Sequence, residues 1–432
     1  MRTPYWFLAG TLFGSVLTFA QAPKDPPAVV AGIPVNYDEA KVGDYVLPNA
    51  LTLNNGNPVR DAQTWWKKRR PEILSMFETQ QFGRAPGRPA DESFDVFETG
   101  TPVFNGKAIR KQVRIYFTKD KSGPSIQLLI YLPFATKKPA PVLLSINFGV
   151  VQDAVDDSGI KPETVWDPKT NTRVTPPEGR RRFGRLNVEP FIDAGIGVAT
   201  FYYGDVDPDY LDGFSNGIRA RYLKPGQTER AADNWGSISA WAWGMSRVED
   251  YFETDKNIDA HRVAIHGVSR LGKTVMWAGA NDQRFAAVIA SCSGEGGAAL
   301  SHRNYGETIA HLTEPTRYPY QFAANYAKFA HNVSEFPVDA NLLVALIAPR
   351  PLLLQTGDKD FWSDPKGEFL AARAADPVYH LFGKQGIETD EMPPAGAPIL
   401  HTVGYYMHAG GHGTIPSDWD QYLAFLRMHL KP

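Results

Sequence analysis

Apolar segments alternate with helix-like segments along most of the chain. Continuous apolar runs cover residues 141–147, 262–267 and 351–356. A short run of this kind, bounded by turn residues, is typical of a strand buried on both faces. Between and around these runs, apolar residues at helical spacing predict helices at 238–252 and 339–347. The alternation predicts a mostly parallel central sheet whose strands are joined by crossover helices.

The first part of the chain has a different pattern. Residues 23–107 are rich in Pro, Gly and Asn, apart from a helix-like patch at 62–78. Residues 111–117 and 126–132 alternate apolar and polar positions, which predicts two antiparallel strands. The other predicted elements are strands at 195–202 and 286–290 and a closing amphipathic helix at 418–430.

Composition narrows the domain organisation and the possible partners. A length of 432 residues is compatible with two or three domains of roughly 150 residues. No segment has the composition of a flexible linker, so we predict a single α/β catalytic domain over 23–432, with an N-terminal extension and inserted loops. A formal net charge of -2 argues against nucleic acid as a partner. The basic run 180–182 is interpreted as a solvated loop.

The N-terminal residues 1–22 have the features of a secretory signal. Arg2 gives a positive start, the following residues are mostly apolar, and cleavage is expected after Ala20 or Ala22. We therefore predict a secreted or periplasmic protein with no membrane span in its mature form. Cys292 is the sole cysteine, so no internal disulfide can form, and stability must come from the hydrophobic core.

One serine lies between a strand and a helix. The strand at 262–267 leads through Val268 to Ser269, and a helix-like run follows to Ala280. α/β-Hydrolases present their nucleophile on such a turn, but they usually have glycine two residues after the serine. Here Gly272 comes one residue later, which weakens a generic lipase interpretation. The alternative is a buried serine in a strand–helix turn with no chemistry.

A base and an acid follow Ser269 in the order that α/β-hydrolases use. Asp358 and Asp360 come directly after the strand at 351–356, and two histidines precede the last helix. We favour Asp360 as the acid, because the longer turn lets it reach back, and assign Asp358 to the turn itself. His412 is favoured as the base, because glycines on both sides give a mobile loop. His408 follows apolar residues and is interpreted as a packed histidine.

The sequence contains no strong motif for a metal site or a nucleotide site. The ten histidines include no His-x-x-x-His pair on an acidic helix. The run Gly272-Lys273-Thr274 lacks the upstream glycine spacing of a phosphate-binding loop. We therefore predict neither a metal nor another cofactor.

The nucleophile segment also resembles a known family. The run Gly267-Val-Ser-Arg-Leu-Gly-Lys273 resembles the nucleophile motif of the glucuronoyl esterases, carbohydrate esterase family 15. The resemblance extends from about Tyr37 to the C-terminus. Further segments similar to the bacterial branch are residues 235–244, 293–301, 360–368 and 410–413.

The resemblance implies an α/β-hydrolase fold, a three-layer sandwich with helices on both faces of the sheet. It implies cleavage of the ester that joins glucuronic acid of xylan to lignin alcohols, so glucuronoxylan and lignin–carbohydrate esters are the expected partners. Carried over by position, Ser269 is the nucleophile, His412 the base, and Arg270 an oxyanion-hole contributor. The implied substrate-binding residues are Lys273, Glu307 and Trp362.

The resemblance departs from the fungal pattern at Cys292, where fungal members have the catalytic glutamate. A thiol is a weak acid and a poor hydrogen-bond acceptor, so Cys292 cannot do that work. Bacterial relatives often place the acid after the next strand, which agrees with Asp360, while Glu295 is a possible substitute. Two other interpretations stay open: an esterase acting on acetyl, feruloyl or pectin methyl esters, and an inactive hydrolase fold that binds xylan.

Overall fold

The computed structural model describes residues 26–134, 138–177, 184–223 and 231–432. The signal-like segment 1–22 and the basic run 180–182 lie outside these residues. Within the described ranges, no helix is long and apolar enough to cross a membrane.

A large twisted sheet forms the centre of the molecule. Its strands follow the order β13-β14-β12-β11-β10-β6-β9-β5-β4-β3, and β1–β2 and β7–β8 form small separate pairs. The strands are β1 (Val29–Val30), β2 (Ile33–Pro34), β3 (Ser93–Val103), β4 (Ala108–Tyr116), β5 (Ser125–Pro133), β6 (Ala140–Asn147), β7 (Val165–Asp167), β8 (Thr172–Val174), β9 (Gly197–Tyr202), β10 (Ile258–Val268), β11 (Ala287–Ser291), β12 (Leu352–Gly357), β13 (Ile399–Leu400) and β14 (Val403–His408).

Helices flank this sheet, and short 3-10 turns lie in several connecting loops. The helices are α1 (Ala62–Thr64), α2 (Arg70–Gln80), α3 (Val151–Ala154), α4 (Val188–Asp193), α5 (Ser237–Phe252), α6 (Arg270–Asn281), α7 (Ile309–Thr313), α8 (Ala340–Ile347), α9 (Pro365–Ala374), α10 (Asp376–His380) and α11 (Pro416–Leu430).

The middle of the sheet is parallel, as the apolar runs predicted. Strands β9, β6, β10, β11, β12 and β14 run in one direction, whereas β5, β4, β3 and β13 pair antiparallel. Every residue of β6, β9, β11, β12 and β14 is buried. Apolar residues throughout these strands therefore find a core on both faces.

The two faces of the sheet carry two separate hydrophobic cores. Along β12, Leu352 and Leu354 pack in one core, while Leu353 packs in the other. The first core includes the side chains of α5, α6 and α8, and the second includes those of α4 and α11. The alternation follows from the period of two in a strand, and it gives the predicted three layers.

The parallel strands end at one edge of the sheet. Val268 at the end of β10 pairs with Ser291, and Ser291 pairs with Gln355 of β12. Gly357 in turn pairs with His408 at the end of β14. Because these ends are in register, the loops that follow β10, β11, β12 and β14 leave the sheet side by side.

The helix predicted at 62–78 is present but not uniform. It begins as α1, widens to a π-helix over Trp65–Arg69, and continues as α2. Pro71 lacks the N–H that would bond to the carbonyl four residues earlier, and its ring crowds that carbonyl. The wider turn lies where this regular bond is missing.

Seven of the fourteen strands in the described residues were not predicted from the sequence, including β3 and β14 of the central sheet. β3 is an edge strand with many exposed residues, so its sequence has no apolar face to reveal it. β14 is wholly buried, but only its Tyr405-Tyr406-Met407 run stood out. Its position beside β12 is what brings the following histidine loop to the edge where the site lies.

Candidate active site

Ser269 occupies a sharp turn between β10 and α6. Its φ of 59° and ψ of -127° lie in a region that residues other than glycine rarely adopt. The strand is held by pairing with β6 and β11, and the backbone N–H of Ser269 donates to the Ser291 carbonyl at 2.8 Å. The serine is thus fixed at the sheet edge, next to the first turn of a helix.

Two glycines make this turn possible. A Cβ on Gly267 would lie 2.3 Å from the Leu271 carbonyl oxygen, and one on Gly272 would lie 2.7 Å from the Ser291 carbonyl oxygen. Neither distance leaves room for a side chain. Gly272 lies in the first turn of α6, close to the end of β11, so this close contact requires a glycine three residues after Ser269.

Asp360 and His412 meet at the same edge. The Asp360 Oδ2 lies 2.7 Å from the His412 Nδ1, and Asp360 itself is buried. The imidazole is 43% exposed, so one side of the ring is held and the other is accessible. With Nδ1 engaged by the carboxylate, Nε2 is the ring nitrogen that can accept a proton from a serine.

The neighbouring acid and histidine have structural contacts. Asp358 accepts a hydrogen bond from the Gly410 N–H at 2.8 Å, in the turn position that the sequence indicated. His408 is buried, with its Nδ1 3.0 Å from Asp418 and its Nε2 3.0 Å from the Gly411 carbonyl. Both residues therefore support the loop that carries His412.

This loop is held by more contacts than its glycines suggested. On the side beyond His412, the Gly413 N–H donates to the Cys292 sulfur at 3.3 Å, and the thiol donates to the Gly413 carbonyl at 3.4 Å. Together with the bonds at Gly410 and Gly411, these contacts fix the backbone before and after the imidazole. These contacts oppose the mobility that the glycines predicted.

One cavity of about 190 Å³ brings most of the candidate residues together. It contains Ser269, His412 and Asp360, and also the four residues that the family resemblance assigned to the oxyanion and the sugar. The lining consists of Ser269, Arg270, Lys273, Cys292, Glu307, Leu312, Arg317, Tyr318, Gln321, Asp360, Trp362, Ser363 and His412.

Lys273 and Glu307 form a buried charged pair in the cavity wall. The Lys273 Nζ lies 3.7 Å from the Glu307 carboxylate and donates to the Ser293 carbonyl at 2.8 Å. Burial lowers the pKa of Lys273, and the Glu307 charge opposes this shift. The other Glu307 oxygen accepts from Arg317 at 3.1 Å. Glu307 is therefore a buried part of the site and not a surface charge.

The Arg270 guanidinium reaches the same cavity. Its Nη1 lies 2.5 Å from an oxygen of Asp209, and its centre lies 4.6 Å from the Tyr318 ring. Burial acts to lower the pKa of Arg270, but the Asp209 carboxylate and the surrounding tyrosines together outweigh it, so the pKa is raised. The arginine therefore carries a fixed positive charge one residue after the serine.

Trp362 borders the cavity and is only partly buried, so it is not a core residue. Its ring meets His311 edge-on at 5.2 Å, and the Arg317 guanidinium lies 5.3 Å from its centre. The Glu307 N–H also donates to the Trp362 carbonyl at 2.9 Å. The loop after β12 thus joins the acid Asp360 to the wall that contains Glu307.

Glu295 belongs to a different cluster. Its Oε1 accepts from Ser301 and from Tyr326, each at 2.6 Å, and the side chain is fully buried. Burial raises the pKa of Glu295 to about 8. The residue in contact with His412 is Asp360, so the geometry favours Asp360 over Glu295 as the acid.

Cys292 stands next to this acid–base pair. A thiol sulfur, a carboxylate oxygen and an imidazole nitrogen from Cys292, Asp360 and His412 lie within 4.8 Å of one another. Such a set has the residue types of a metal site, but metal binding requires a thiolate. Burial is the main cause that raises the pKa of Cys292, and the Asp360 charge adds to it. The thiol also donates a hydrogen bond to the Gly413 carbonyl. The arrangement fits a catalytic acid–base pair better than a metal centre.

Sequence reasoning missed several residues of the site. Arg317, Tyr318 and Gln321 line the cavity and follow α7 in a segment of short turns. Asp209, in the loop after β9, lies behind the lining and accepts hydrogen bonds from Arg270 and Gln321. None of them belongs to a motif or to a regular apolar period. Only the packing of these loops against α6 reveals their place in the site.

Comparison with known proteins finds related esterases. A family model described as glucuronyl esterase, fungi, matches residues 191–383, which include Ser269 and Asp360 but end before His412. The chain is 39% identical over 422 residues to carbohydrate esterase MZ0003 of an unknown prokaryotic organism, and the match covers 96% of each chain.

Solved structures with a similar fold are esterases as well. The fold is similar to that of a glucuronoyl esterase from Solibacter usitatus, with 44% identity and a TM-score of 0.86 over 90% of this chain and 100% of that chain. It is also similar to a promiscuous CE15 esterase from a marine bacterial metagenome, with 40% identity and a TM-score of 0.82 over 91% and 100% of the chains.

Proposed function

Because this chain belongs to the glucuronoyl esterases of carbohydrate esterase family 15, we propose that it hydrolyses esters of xylan-borne glucuronic acid. The bond is the one between a glucuronic acid or 4-O-methyl-glucuronic acid side group and a lignin alcohol. The observation that carries the proposal is the single cavity shared by Ser269, the Asp360–His412 pair and a buried Lys273–Glu307 pair. The protein is a carboxylic ester hydrolase, and the proposed mechanism uses no cofactor.

The first half of the reaction acylates the serine. His412 Nε2 takes the hydroxyl proton of Ser269 while Oγ bonds to the uronoyl carbonyl carbon, and the carbonyl oxygen becomes an oxyanion. Asp360 holds the imidazole through Nδ1 and stabilises its positive charge. The oxyanion collapses, the bond to the alcohol oxygen breaks, and the alcohol leaves with the proton from His412.

Water completes the cycle. His412 takes a proton from a water molecule while the oxygen of that water bonds to the acyl carbon. The bond from this carbon to Ser269 Oγ then breaks, and His412 returns the proton to Oγ. The uronic acid is released. Both oxyanions form beside the N-terminus of α6 and the charged Arg270 side chain. Loss of one such donor typically slows turnover by about 10²–10³-fold.

The walls of the cavity suit a polar acyl group. Lys273, Glu307 and Gln321 offer charged and amide groups to sugar hydroxyls, and the ring of Trp362 offers an apolar surface to the sugar. A site built from hydrogen-bonding groups rejects substrates that leave those groups unpaired. This favours a uronic acid ester over a purely aliphatic ester.

The test compares hydrolysis of benzyl or methyl glucuronate by the wild type and by Ser269→Ala. The matched control is Ser75→Ala, since Ser75 is an exposed serine of α2 far along the chain from the site. We expect hydrolysis by the wild type and the control, with loss in Ser269→Ala. Equal rates in all three would remove Ser269 from the mechanism.

Two further measurements address the alternatives. A panel of acetyl, feruloyl and pectin methyl esters is compared with glucuronate esters, and preference for acetylated xylan would reverse the substrate assignment. Breadth across the panel has a precedent in the relative that is described as promiscuous. A phosphonate probe for active serines should label Ser269, whereas a protein that only binds xylan would stay unlabelled.

We also place the enzyme outside the cytoplasm on the strength of residues 1–22. Expression of the full chain in a bacterium, followed by mass spectrometry of the N-terminus, tests this. Cleavage after Ala20 or Ala22 is expected. An intact N-terminus on cytoplasmic protein would contradict export.

A further inference from the structure

Asp209 connects two parts of the cavity that the reaction uses differently. It lies in the loop after β9, and its side chain is only 7% exposed. Its Oδ2 accepts hydrogen bonds from Arg270 at 2.5 Å and from the Tyr203 hydroxyl at 2.9 Å. Its Oδ1 accepts from Gln321 at 2.7 Å and from the Tyr320 hydroxyl at 2.8 Å.

The two carboxylate oxygens of Asp209 therefore accept hydrogen bonds from different residues of the cavity wall. One oxygen holds the arginine that follows the nucleophile, and the other holds the side-chain amide of Gln321 in the cavity wall. Each oxygen is also fixed by one tyrosine hydroxyl. A buried carboxylate with two donors on each oxygen has little freedom to turn, because any rotation would leave donors unpaired.

A stacking contact also constrains the face of the Arg270 guanidinium. Its guanidinium lies over Tyr318 at 4.6 Å, while Asp209 fixes one edge of the plane. A charge that is oriented before the reaction stabilises a developing oxyanion without reorganisation during the reaction. Asp209 thus holds Arg270 in place as Asp360 holds His412.

We infer that Asp209 is a positioning residue that orients Arg270 toward the oxyanion through Oδ2 and Gln321 toward the sugar through Oδ1. This rests on the proposed hydrolysis of glucuronate esters. It predicts that the two tyrosines, which bond to different oxygens of one carboxylate, affect different kinetic constants.

The experiment measures kcat and KM on benzyl glucuronate for Tyr203→Phe and Tyr320→Phe. Each change removes one hydroxyl from Asp209 and leaves the ring in place. The matched control is Tyr210→Phe on the same loop, because the Tyr210 hydroxyl bonds to Asn171 outside this network. Thermal melting of each variant checks that the fold is retained.

We expect Tyr203→Phe to lower kcat with little change in KM, and Tyr320→Phe to raise KM with little change in kcat. Each effect should be about tenfold, the size expected for one hydrogen bond to a charged group. Asp209→Asn should change both constants, and Tyr210→Phe should change neither. Equal effects of Tyr203→Phe and Tyr320→Phe on both constants would overturn the assignment.

A double variant separates positioning from a general structural role. If Tyr203 acts through Asp209 on Arg270, Tyr203→Phe should have no further effect on kcat in an Arg270→Ala background. A full tenfold loss in that background would show that Tyr203 acts by another route and would overturn the inference. Absence of glucuronate ester hydrolysis in the wild type would instead contradict the proposed function, so the two failures are distinguishable.

Discussion

Asp360 and His412 are separated by 52 residues in the chain, yet Asp360 Oδ2 lies 2.7 Å from the imidazole Nδ1. The carboxylate side chain is 3% exposed and the imidazole 43%. Burial on one side and access on the other give the ring one fixed nitrogen and one available nitrogen. The two residues meet because their loops leave the sheet from neighbouring parallel strands, one after β12 and the other after β14.

The first prediction concerns this pair. Asp360→Asn replaces an acceptor by an amide that cannot stabilise the charged imidazole, and it favours the wrong tautomer of His412. We expect kcat to fall by about 10³–10⁴-fold. Asp358→Asn is the control, because an amide oxygen can still accept the hydrogen bond from Gly410. Comparable losses in the two variants would argue against Asp360 as the acid.

The second prediction concerns Cys292. Cys292→Ala removes both bonds to Gly413 and loosens the backbone after His412, so kcat should fall several-fold, up to about tenfold. Cys292→Ser keeps a donor and an acceptor at this place and should recover most of the rate. Steady-state kinetics on benzyl glucuronate measure both. Full activity of Cys292→Ala would mean that the thiol does not hold the loop.

The third prediction concerns the turn at the nucleophile. Gly272→Ala would place a Cβ 2.7 Å from the Ser291 carbonyl, and only backbone movement can relieve that contact. We expect a loss of about 1–3 kcal/mol in the free energy of unfolding, together with lower kcat. Gly87→Ala, where no heavy atom lies within 4 Å, is the control. Denaturant unfolding and kinetics test both variants, and an unchanged Gly272→Ala would refute the close approach.

The fourth prediction concerns pH and Glu295. Burial raises the pKa of this carboxyl from 4.5 to about 8 in the folded protein. Between these values the unfolded chain has lost the proton and the folded protein keeps it. The contribution of Glu295 to stability is therefore complete below pH 4.5 and is lost as the pH rises to about 8. The expected slope is about 1.4 kcal/mol per pH unit.

Glu295→Gln removes this titration and keeps an oxygen that can accept from Ser301 and Tyr326. Relative to the wild type, it should gain stability as the pH rises from 5 to 8, measured by urea unfolding at several pH values. Its kcat should stay near that of the wild type. Parallel stability profiles would contradict the raised pKa, and a collapse of kcat would restore Glu295 as a candidate acid.

The regular elements were largely predictable because the core imposes a period on the sequence. Strands β6 and β12 are buried on both faces, so each appears as an unbroken apolar run. Helix α8 and its N-cap Asp339 match the predicted 339–347 segment for the same reason. Edge strand β3 has no such constraint, and its pattern gave no signal.

The candidate site was predictable where chemistry is tied to a strand end. Ser269 follows β10 and Asp360 follows β12, so the order of elements located both. Lys273, Glu307 and Trp362 came from the family resemblance, and their roles stay predictions that the shared cavity supports. Asp209 and Arg317 lie in loops whose sequences follow no period, so neither was foreseen.

The sequence by itself determined the parallel sheet and the serine turn, because buried strands and tight turns restrict which residues can stand where. It also predicted that Asp360 and His412 meet. Only the tertiary structure decided that Cys292 holds the His412 loop and that Asp209 accepts a hydrogen bond from Arg270. It also decided that Glu295 bonds to Ser301, away from His412. These relationships depend on contacts between loops from distant parts of the chain. The direction of a loop is set by what it packs against, and no local pattern of residues records that.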